Sequence, residues 1–180
     1  MNIFWFRRDL RLDDNVGLFH ALNSTEEVLP VFIFDESILA ELPKEDARVT
    51  FIHELLSKIQ EQLALQGKSL AVFHGKPIAV FKQLISEHSI STVYTNNDYE
   101  PYARKRDKEI NQLLKEHGID FKTSKDQVIF EKSEVVKDDG LPYVVYTPYS
   151  KKWKEKFKAI SLPNYPSENL LDKIALHSYP

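Results

Sequence analysis

Residues 5–15 have the sequence WFRRDLRLDDN, in which an apolar run that begins at Ile3 meets a highly charged segment. A short apolar run that stops at a polar turn is typical of a buried strand. Residues 13–15, Asp-Asp-Asn, offer side-chain oxygens to the free N–H groups of a helix that begins near Val16. The stretch therefore predicts a central first strand, a charged loop that contains three arginines, and a helix.

The rest of the chain alternates between short apolar runs and helical patterns. Four further runs rich in β-branched or aromatic residues are predicted strands, at residues 28–34, 69–74, 91–95 and 119–123. Between them, apolar residues recur at steps of three or four, which is typical of helices packed on a core. This alternation predicts an α/β fold: an open, doubly wound, Rossmann-like sheet of five parallel strands with helices on both faces.

Polar side chains cluster where the predicted strands end, and the carboxyl ends of parallel strands form the edge at which such sheets bind ligands. The candidates at this edge are Arg8 and Asp9 after strand one, Phe34 and Asp35 at the end of strand two, and Asn97, Asp98 and Glu100 after strand four. We predict that they line one cleft together with Arg48. The alternative is that the arginines and aspartates only neutralise one another.

Arg48 lies in the first turn of a predicted helix, where the helix dipole disfavours a cation. It therefore needs a partner, which we expect to be a carboxylate such as Asp35 or Asp98, or a ligand.

Composition excludes several kinds of chemistry. The chain has no cysteine, which removes disulfides, thiolate nucleophiles and cysteine zinc sites. Its six histidines lack metal-ligand spacing, and its five glycines are too scattered for a dinucleotide turn or a P-loop. We predict no metal site and no catalytic constellation. The net charge of -3 gives no general attraction to nucleic-acid phosphates.

The start of the chain lacks the basic region and the cleavage pattern of a signal peptide. No run approaches the roughly twenty apolar residues that span a bilayer. The sequence therefore predicts a soluble, cytoplasmic protein without membrane association.

Three segments resemble the DNA photolyase and cryptochrome family: residues 5–15, residues 96–107 with the sequence NNDYEPYARKRD, and residues 139–153 with the sequence DGLPYVVYTPYSKKW. The resemblance implies that residues 1–160 form the amino-terminal α/β domain of that family. Residues 161–180, which are rich in proline and polar residues at their start, are then expected to begin an interdomain linker.

In that family, this domain binds an accessory light-harvesting chromophore, and a carboxyl-terminal helical domain holds FAD and the damaged DNA. The resemblance therefore implies the antenna domain of a deoxyribodipyrimidine photolyase, whose partners are its own FAD domain and UV-damaged DNA. Without that FAD domain, the 180 residues are expected to be inactive in repair. Tyr102 and Ala103 stand where the folate-binding branch carries Asn and Glu, so FMN or a deazaflavin is favoured over folate.

Two other functions fit the same pattern: the amino-terminal domain of a cryptochrome-type blue-light photoreceptor, and a free-standing nucleotide-binding α/β module.

Two local features also have two interpretations. Residues 104–106, Arg-Lys-Arg, form either a solvated helix face or a phosphate site. Tyr149, Trp153 and Phe157 form either the apolar face of a docking helix or a surface for stacking on bases. Residues 135–146, with Asp139-Gly140 at the centre, predict a hairpin or lid.

Overall fold

Five parallel strands form one sheet in the order β3-β2-β1-β4-β5 in the computed structural model, which describes residues 1–176. The strands are β1 (Asn2–Phe6), β2 (Val28–Asp35), β3 (Ala71–Gly75), β4 (Thr92–Asn96) and β5 (Asp120–Ser124). The α-helices are α1 (Val16–Leu22), α2 (Glu36–Leu39), α3 (Ala47–Ala64), α4 (Pro77–Glu87), α5 (Pro101–Glu116) and α6 (Tyr146–Lys158), with short 3₁₀ helices at Lys132–Glu134 and Ser167–Lys173. The predicted fold class is confirmed, and the strand bounds differ from the predicted ones by one or two residues.

The central strand β1 is buried along its whole length and supplies both faces of the core. Because successive side chains of a strand point to opposite faces, Ile3 and Trp5 enter one layer, and Phe4 and Phe6 enter the other. The first layer also contains residues of the two helices α4 and α5: Phe81, Leu84, Ile110 and Leu114. The second layer contains residues of α1 and α3: Leu18, Leu22, Ile59 and Leu63. Helices therefore cover both faces of the sheet.

The helix starts follow local signals in the sequence. Asn15 is the N-cap of α1, where its side chain accepts a hydrogen bond from the Leu18 N–H at 3.1 Å. Asp46 caps α3 in the same way through the Arg48 N–H. Pro77 begins α4, where a missing N–H costs nothing. These caps explain why the helix starts could be predicted from short stretches of sequence.

The described part of the chain divides into two compact units, residues 1–126 with residues 165–176, and residues 127–164. The described residues after 164 pack on the first unit: Ile174 and Ala175 are fully buried, and Ile174 forms a parallel bridge with Val28. These two apolar side chains gain burial at the sheet. The expectation that residues 161–180 begin an interdomain linker stays a prediction. His177 to Pro180 lie outside the described residues.

The second unit contains α6 and has no strand in the part of the chain that the structure describes. The hairpin expected at residues 135–146 is therefore wrong, although its turn exists. Gly140 has a φ of +78°, and the Lys137 N–H donates to the Leu141 carbonyl at 2.9 Å. Pro142 then removes a donor that a ladder of paired strands would need. On α6, the rings of Trp153 and Phe157 stack at 5.1 Å.

No helix within residues 1–176 combines the length and the apolar character needed to cross a membrane.

Candidate functional site

A cleft of about 790 Å³ opens at the carboxyl edge of the sheet, within the first unit. This volume lies in the range of about 300–1,000 Å³ that is usual for small-molecule sites. The cleft is bounded by the ends of β1 and β2 and by the starts of α3, α4 and α5. Six of the eight predicted site residues line it: Arg8, Phe34, Asp35, Arg48, Asp98 and Glu100. Their convergence on one cleft is a geometric fact, and their role in ligand binding stays a prediction.

The other two candidates, Asp9 and Asn97, are not among the residues that line this cleft. Asp9 holds the charged loop (residues 7–15) in place, because its carboxylate accepts from the Arg7 N–H at 2.8 Å and from the side-chain amides of Asn15 and Asn96. Asn97 donates its backbone N–H to the Ser124 carbonyl at 2.7 Å. Both residues have contacts that support the loops around the cleft.

One side of the cleft is apolar. Its lining includes Phe32, Phe34, Ile38, Leu39, Leu42, Val49, Phe51, Ile52 and Leu55, which come from β2, α2, α3 and the loop between the two helices. Phe51 is 61% exposed and Ile38 is 42% exposed. Large apolar side chains that stay accessible inside a concave surface favour an apolar ligand, because the ligand would remove their area from water.

The two arginines predicted to hold a ligand already have acidic neighbours. Arg8 Nη1 lies 3.6 Å from Asp98 Oδ1 and 3.7 Å from Glu100 Oε1. Arg48 forms a two-point ion pair with Asp46, from Nε at 2.8 Å and from Nη2 at 2.6 Å. The expected carboxylate partner of Arg48 is therefore present, but it is Asp46 and neither of the two examples, Asp35 and Asp98. The N-cap Asp46, two residues earlier in the chain, lies within the reach of the arginine.

The ion pair with Arg48 also changes the acidity of Asp46. Hydrogen bonds from the Arg48 side chain and backbone lower the pKa of the Asp46 carboxyl to about 2. This carboxylate therefore stays charged wherever the protein is folded near neutral pH, and it neutralises Arg48. A ligand group that used Arg48 would have to compete with Asp46.

Tyr102 is a cleft residue whose contact could not be read from the sequence. Its hydroxyl donates a hydrogen bond to Asp35 Oδ2 at 2.6 Å. Burial raises the pKa of Tyr102, and the hydrogen bond to Asp35 raises it further. The neutral phenol is therefore a stable donor to a carboxylate that is only 6% exposed.

A buried charge cluster supports the floor of the cleft. Arg7 Nη1 donates to both Asp107 oxygens at 2.6 and 2.7 Å, while Arg106 Nε and Nη2 donate to Asp107 Oδ1 at 3.2 and 3.1 Å. The guanidinium carbons of Arg7 and Arg106 lie 5.2 and 4.8 Å from the centre of the Trp5 ring. Burial and the charge of Arg7 lower the pKa of Arg106, and Asp107 opposes that shift. Two cations therefore share one carboxylate.

This cluster corrects one interpretation of residues 104–106. Arg104 and Lys105 are exposed, as expected for a solvated helix face, but Arg106 is only 8% exposed. The spacing of Ala103, Arg106 and Ile110 at steps of three and four places all three on the buried face of α5. That spacing was the signal in the sequence that Arg106 lies on the buried face of the helix.

Gly17 allows α1 to approach β4 closely. A Cβ at this position would lie 2.6 Å from Asn96 Oδ1 and 2.9 Å from the ring of Phe4. Asn96 cannot move freely, because its Oδ1 accepts from the Gly17 N–H at 2.8 Å and its Nδ2 donates to Asn15 Oδ1 at 2.9 Å.

Replacing Gly17 with alanine is therefore expected to lower the free energy of unfolding by about 1–3 kcal/mol, since overpacking outweighs the better helix propensity of alanine. Urea unfolding measures this change. The exposed Lys108 of α5, replaced by alanine, is the control and is expected to change stability by about 0.5 kcal/mol or less. A Gly17 variant as stable as the parent would contradict the close approach.

An open parallel sheet with this strand order and a cleft at its carboxyl edge defines the class of doubly wound α/β ligand-binding domains. Within that class, the family model described as DNA photolyase matches residues 2–168. The chain therefore belongs to the DNA photolyase family.

Individual relatives agree with this membership. The chain is 34% identical over 156 residues to a deoxyribodipyrimidine photo-lyase of Synechococcus sp., a match that covers 87% of the chain and 32% of the relative. A crystal structure of a bacterial class III photolyase from Agrobacterium tumefaciens is 29% identical with a TM-score of 0.80, over 99% of this chain and 36% of that one. An archaeal photolyase from Sulfolobus tokodaii, solved with two FAD molecules, is 27% identical with a TM-score of 0.72, over 99% and 42% of the two chains. The chain thus spans about a third of the length of the photolyase sequence it matches.

Proposed function

We propose that this chain is the amino-terminal, chromophore-binding domain of a deoxyribodipyrimidine photolyase. Its cleft would seat a light-harvesting chromophore of the flavin or deazaflavin type, such as FMN. Membership of the DNA photolyase family supports the assignment. The Sulfolobus tokodaii relative, whose structure has two FAD molecules and implicates a novel light-harvesting cofactor, supports a flavin as the kind of ligand.

The observation that carries the proposal is the two-sided character of the cleft. Its apolar side, which includes Phe34 and Phe51, suits the flat faces of a tricyclic ring. Its polar end, with Arg8, Asp35 and Asp98, suits the ring edge and the sugar-like chain of such a ligand. When bound, the chromophore would supply absorption of light, and the protein would orient it and exclude water.

The residues at the start of α5 support a flavin over a folate. Ala103 is 2% exposed and offers no polar side chain, and the Tyr102 hydroxyl is engaged by Asp35. The amide and carboxylate that the resemblance associates with a folate are therefore replaced by groups that cannot supply the same hydrogen bonds.

For the whole protein we propose the light-driven reversal of pyrimidine dimers in DNA. That reaction would require a carboxyl-terminal FAD domain and damaged DNA as partners, so the 180-residue chain by itself is expected to show no repair. A repair assay of the full-length gene product in light and darkness separates a photolyase from a cryptochrome-type photoreceptor, because only the photolyase reverses dimers.

The binding test uses the 180-residue chain, titrated separately with FMN, a deazaflavin and a reduced folate. We expect saturable binding of FMN or the deazaflavin. Replacing Phe51 with glutamate should weaken that binding at least about tenfold, because it removes a ring from the apolar side and introduces a charge that the ligand would desolvate. Phe51 is 61% exposed, so the variant is expected to fold. Quenching of ligand fluorescence measures the dissociation constant.

Leu65→Glu is the matched control, because Leu65 is 89% exposed and does not belong to the lining of the cleft. It should bind the chromophore like the parent chain. If none of the three ligands binds, or if both glutamate variants weaken binding equally, the chromophore-binding role of the cleft is refuted.

A further inference from the structure

Asp35 is buried, and within residues 1–176 no cation pairs with it, in contrast to the shielded acids Asp98, Asp107 and Asp126. Asp98 lies near Arg8, Asp107 pairs with Arg7 and Arg106, and Asp126 pairs with Arg11, each within an ion-pair distance. Asp35 is 6% exposed, and within residues 1–176 no lysine or arginine forms an ion pair with it. A buried carboxylate without a cation is costly unless hydrogen bonds satisfy it.

The hydrogen bonds that Asp35 receives leave part of its acceptor capacity unused. Oδ1 accepts from the Ser37 N–H at 3.0 Å, which caps α2, and Oδ2 accepts from the Tyr102 hydroxyl at 2.6 Å. A carboxylate has about four lone-pair positions, so each oxygen can accept one more donor. Since Asp35 itself lines the cleft, a bound molecule can supply that donor.

We propose that Asp35 recognises an N–H group on the ring edge of the ligand, and that Tyr102 positions the Asp35 carboxylate for this contact. The inference rests on the proposed function and adds the specificity-determining contact to it. It assigns the ligand to a chemical class: a flat heterocycle with a polar N–H on its edge, as in the imide of flavins and deazaflavins.

The two side chains fix the direction of the acceptor. Asp35 ends β2, and its backbone is held by the parallel ladder with β3, in which it pairs with Gly75. Tyr102 approaches from the second position of α5, so its phenol fixes the carboxylate from the opposite element. A hydrogen bond from a neutral donor stabilises the complex more when the charged acceptor is already held in place. A mobile acceptor would lose side-chain freedom on binding.

The test compares lumiflavin, which has the imide N–H, with its N3-methyl derivative, which lacks it and is otherwise the same ring. The parent chain should bind lumiflavin at least about tenfold more tightly. Asp35→Asn should reduce this preference to less than about threefold, because the amide that replaces the carboxylate has lost its charge. Asparagine retains an oxygen for the Ser37 N–H, so the cap of α2 is preserved.

Tyr102→Phe tests the positioning role. It should lower the preference for lumiflavin while the affinity for the N3-methyl flavin stays unchanged, a pattern that general loosening of the fold would not produce. Glu36→Gln is the matched control: Glu36 is the next acid along the chain, lies outside the lining of the cleft, and should leave the preference unchanged.

The outcomes distinguish the recognition contact at Asp35 from chromophore binding as such. Equal binding of the two flavins by the parent chain, or a preference that survives in Asp35→Asn, overturns the role of Asp35 but leaves chromophore binding intact. A preference unaffected by Tyr102→Phe overturns the positioning role. Absence of binding by both lumiflavins overturns the recognition contact, and the proposed function fails with it only if FMN and the deazaflavin also do not bind.

Discussion

Replacement of Asp107 with alanine is expected to lower the free energy of unfolding by about 3–5 kcal/mol, because it leaves buried cations without their counter-charge. The side chains of Arg7 and Arg106 are only 6% and 9% exposed, and Asp107 is the acid with which each of them forms an ion pair. Both arginines line the cleft, but so little of their surface is exposed that water replaces the lost hydrogen bonds poorly. Urea unfolding followed by circular dichroism measures the loss.

Removing one of the two cations from the Asp107→Ala variant should restore part of the lost free energy of unfolding. Since Arg7 and Arg106 repel each other in the folded protein, the double variant Arg106→Met/Asp107→Ala is expected to be more stable than the sum of the two single changes predicts. Glu109→Gln, an exposed acid two residues further along the same helix, is the control and should change stability by about 0.5 kcal/mol or less. A loss below about 1 kcal/mol in Asp107→Ala would show that the two buried arginines do not depend on Asp107 for neutralisation.

The fold could be predicted from the sequence because its signals are local. The apolar run of β1, the N-cap Asn15 and the helix-starting Pro77 each act within a few residues, and together they fix the alternation of strands and helices. A parallel sheet then follows, since short connections that contain a helix bring successive strands into parallel alignment. The bridge between Ile174 and Val28 has no such local signal, because it joins parts of the chain that are far apart in the sequence.

The position of the cleft could be predicted, but the pairing of its charges could not. Topology places the ends of parallel strands at one edge, which is why six of the eight candidates line one cleft. The long side chain of arginine can reach any of several acids, and Arg48 forms its ion pair with Asp46 and not with Asp35 or Asp98. Arg7, which was not a candidate, pairs with an acid 100 residues away. Contacts over such separations leave no periodic trace in the sequence.

Arg11, the third arginine of the charged loop, joins this loop to Asp126. Arg11 Nη2 donates to Asp126 Oδ1 at 2.7 Å, across 115 residues of sequence. The same oxygen accepts from the Val16 N–H, the first of α1, at 3.2 Å. The Asp126 side chain is 1% exposed, whereas that of Arg11 is 37% exposed. One buried oxygen thus holds both the loop after β1 and the start of α1.

Asp126→Ala is expected to lower the free energy of unfolding by about 2–4 kcal/mol, since it removes a charged hydrogen bond and leaves the Val16 N–H unsatisfied. The loss should be smaller than for Asp107→Ala, because the half-exposed Arg11 can turn to water. Asp126→Asn keeps an acceptor for Val16 and should lose about half as much. Amide hydrogen exchange gives the local measurement: the Val16 amide should lose protection in Asp126→Ala and keep it in Asp126→Asn. Equal protection in both variants would mean that Asp126 does not hold the start of α1.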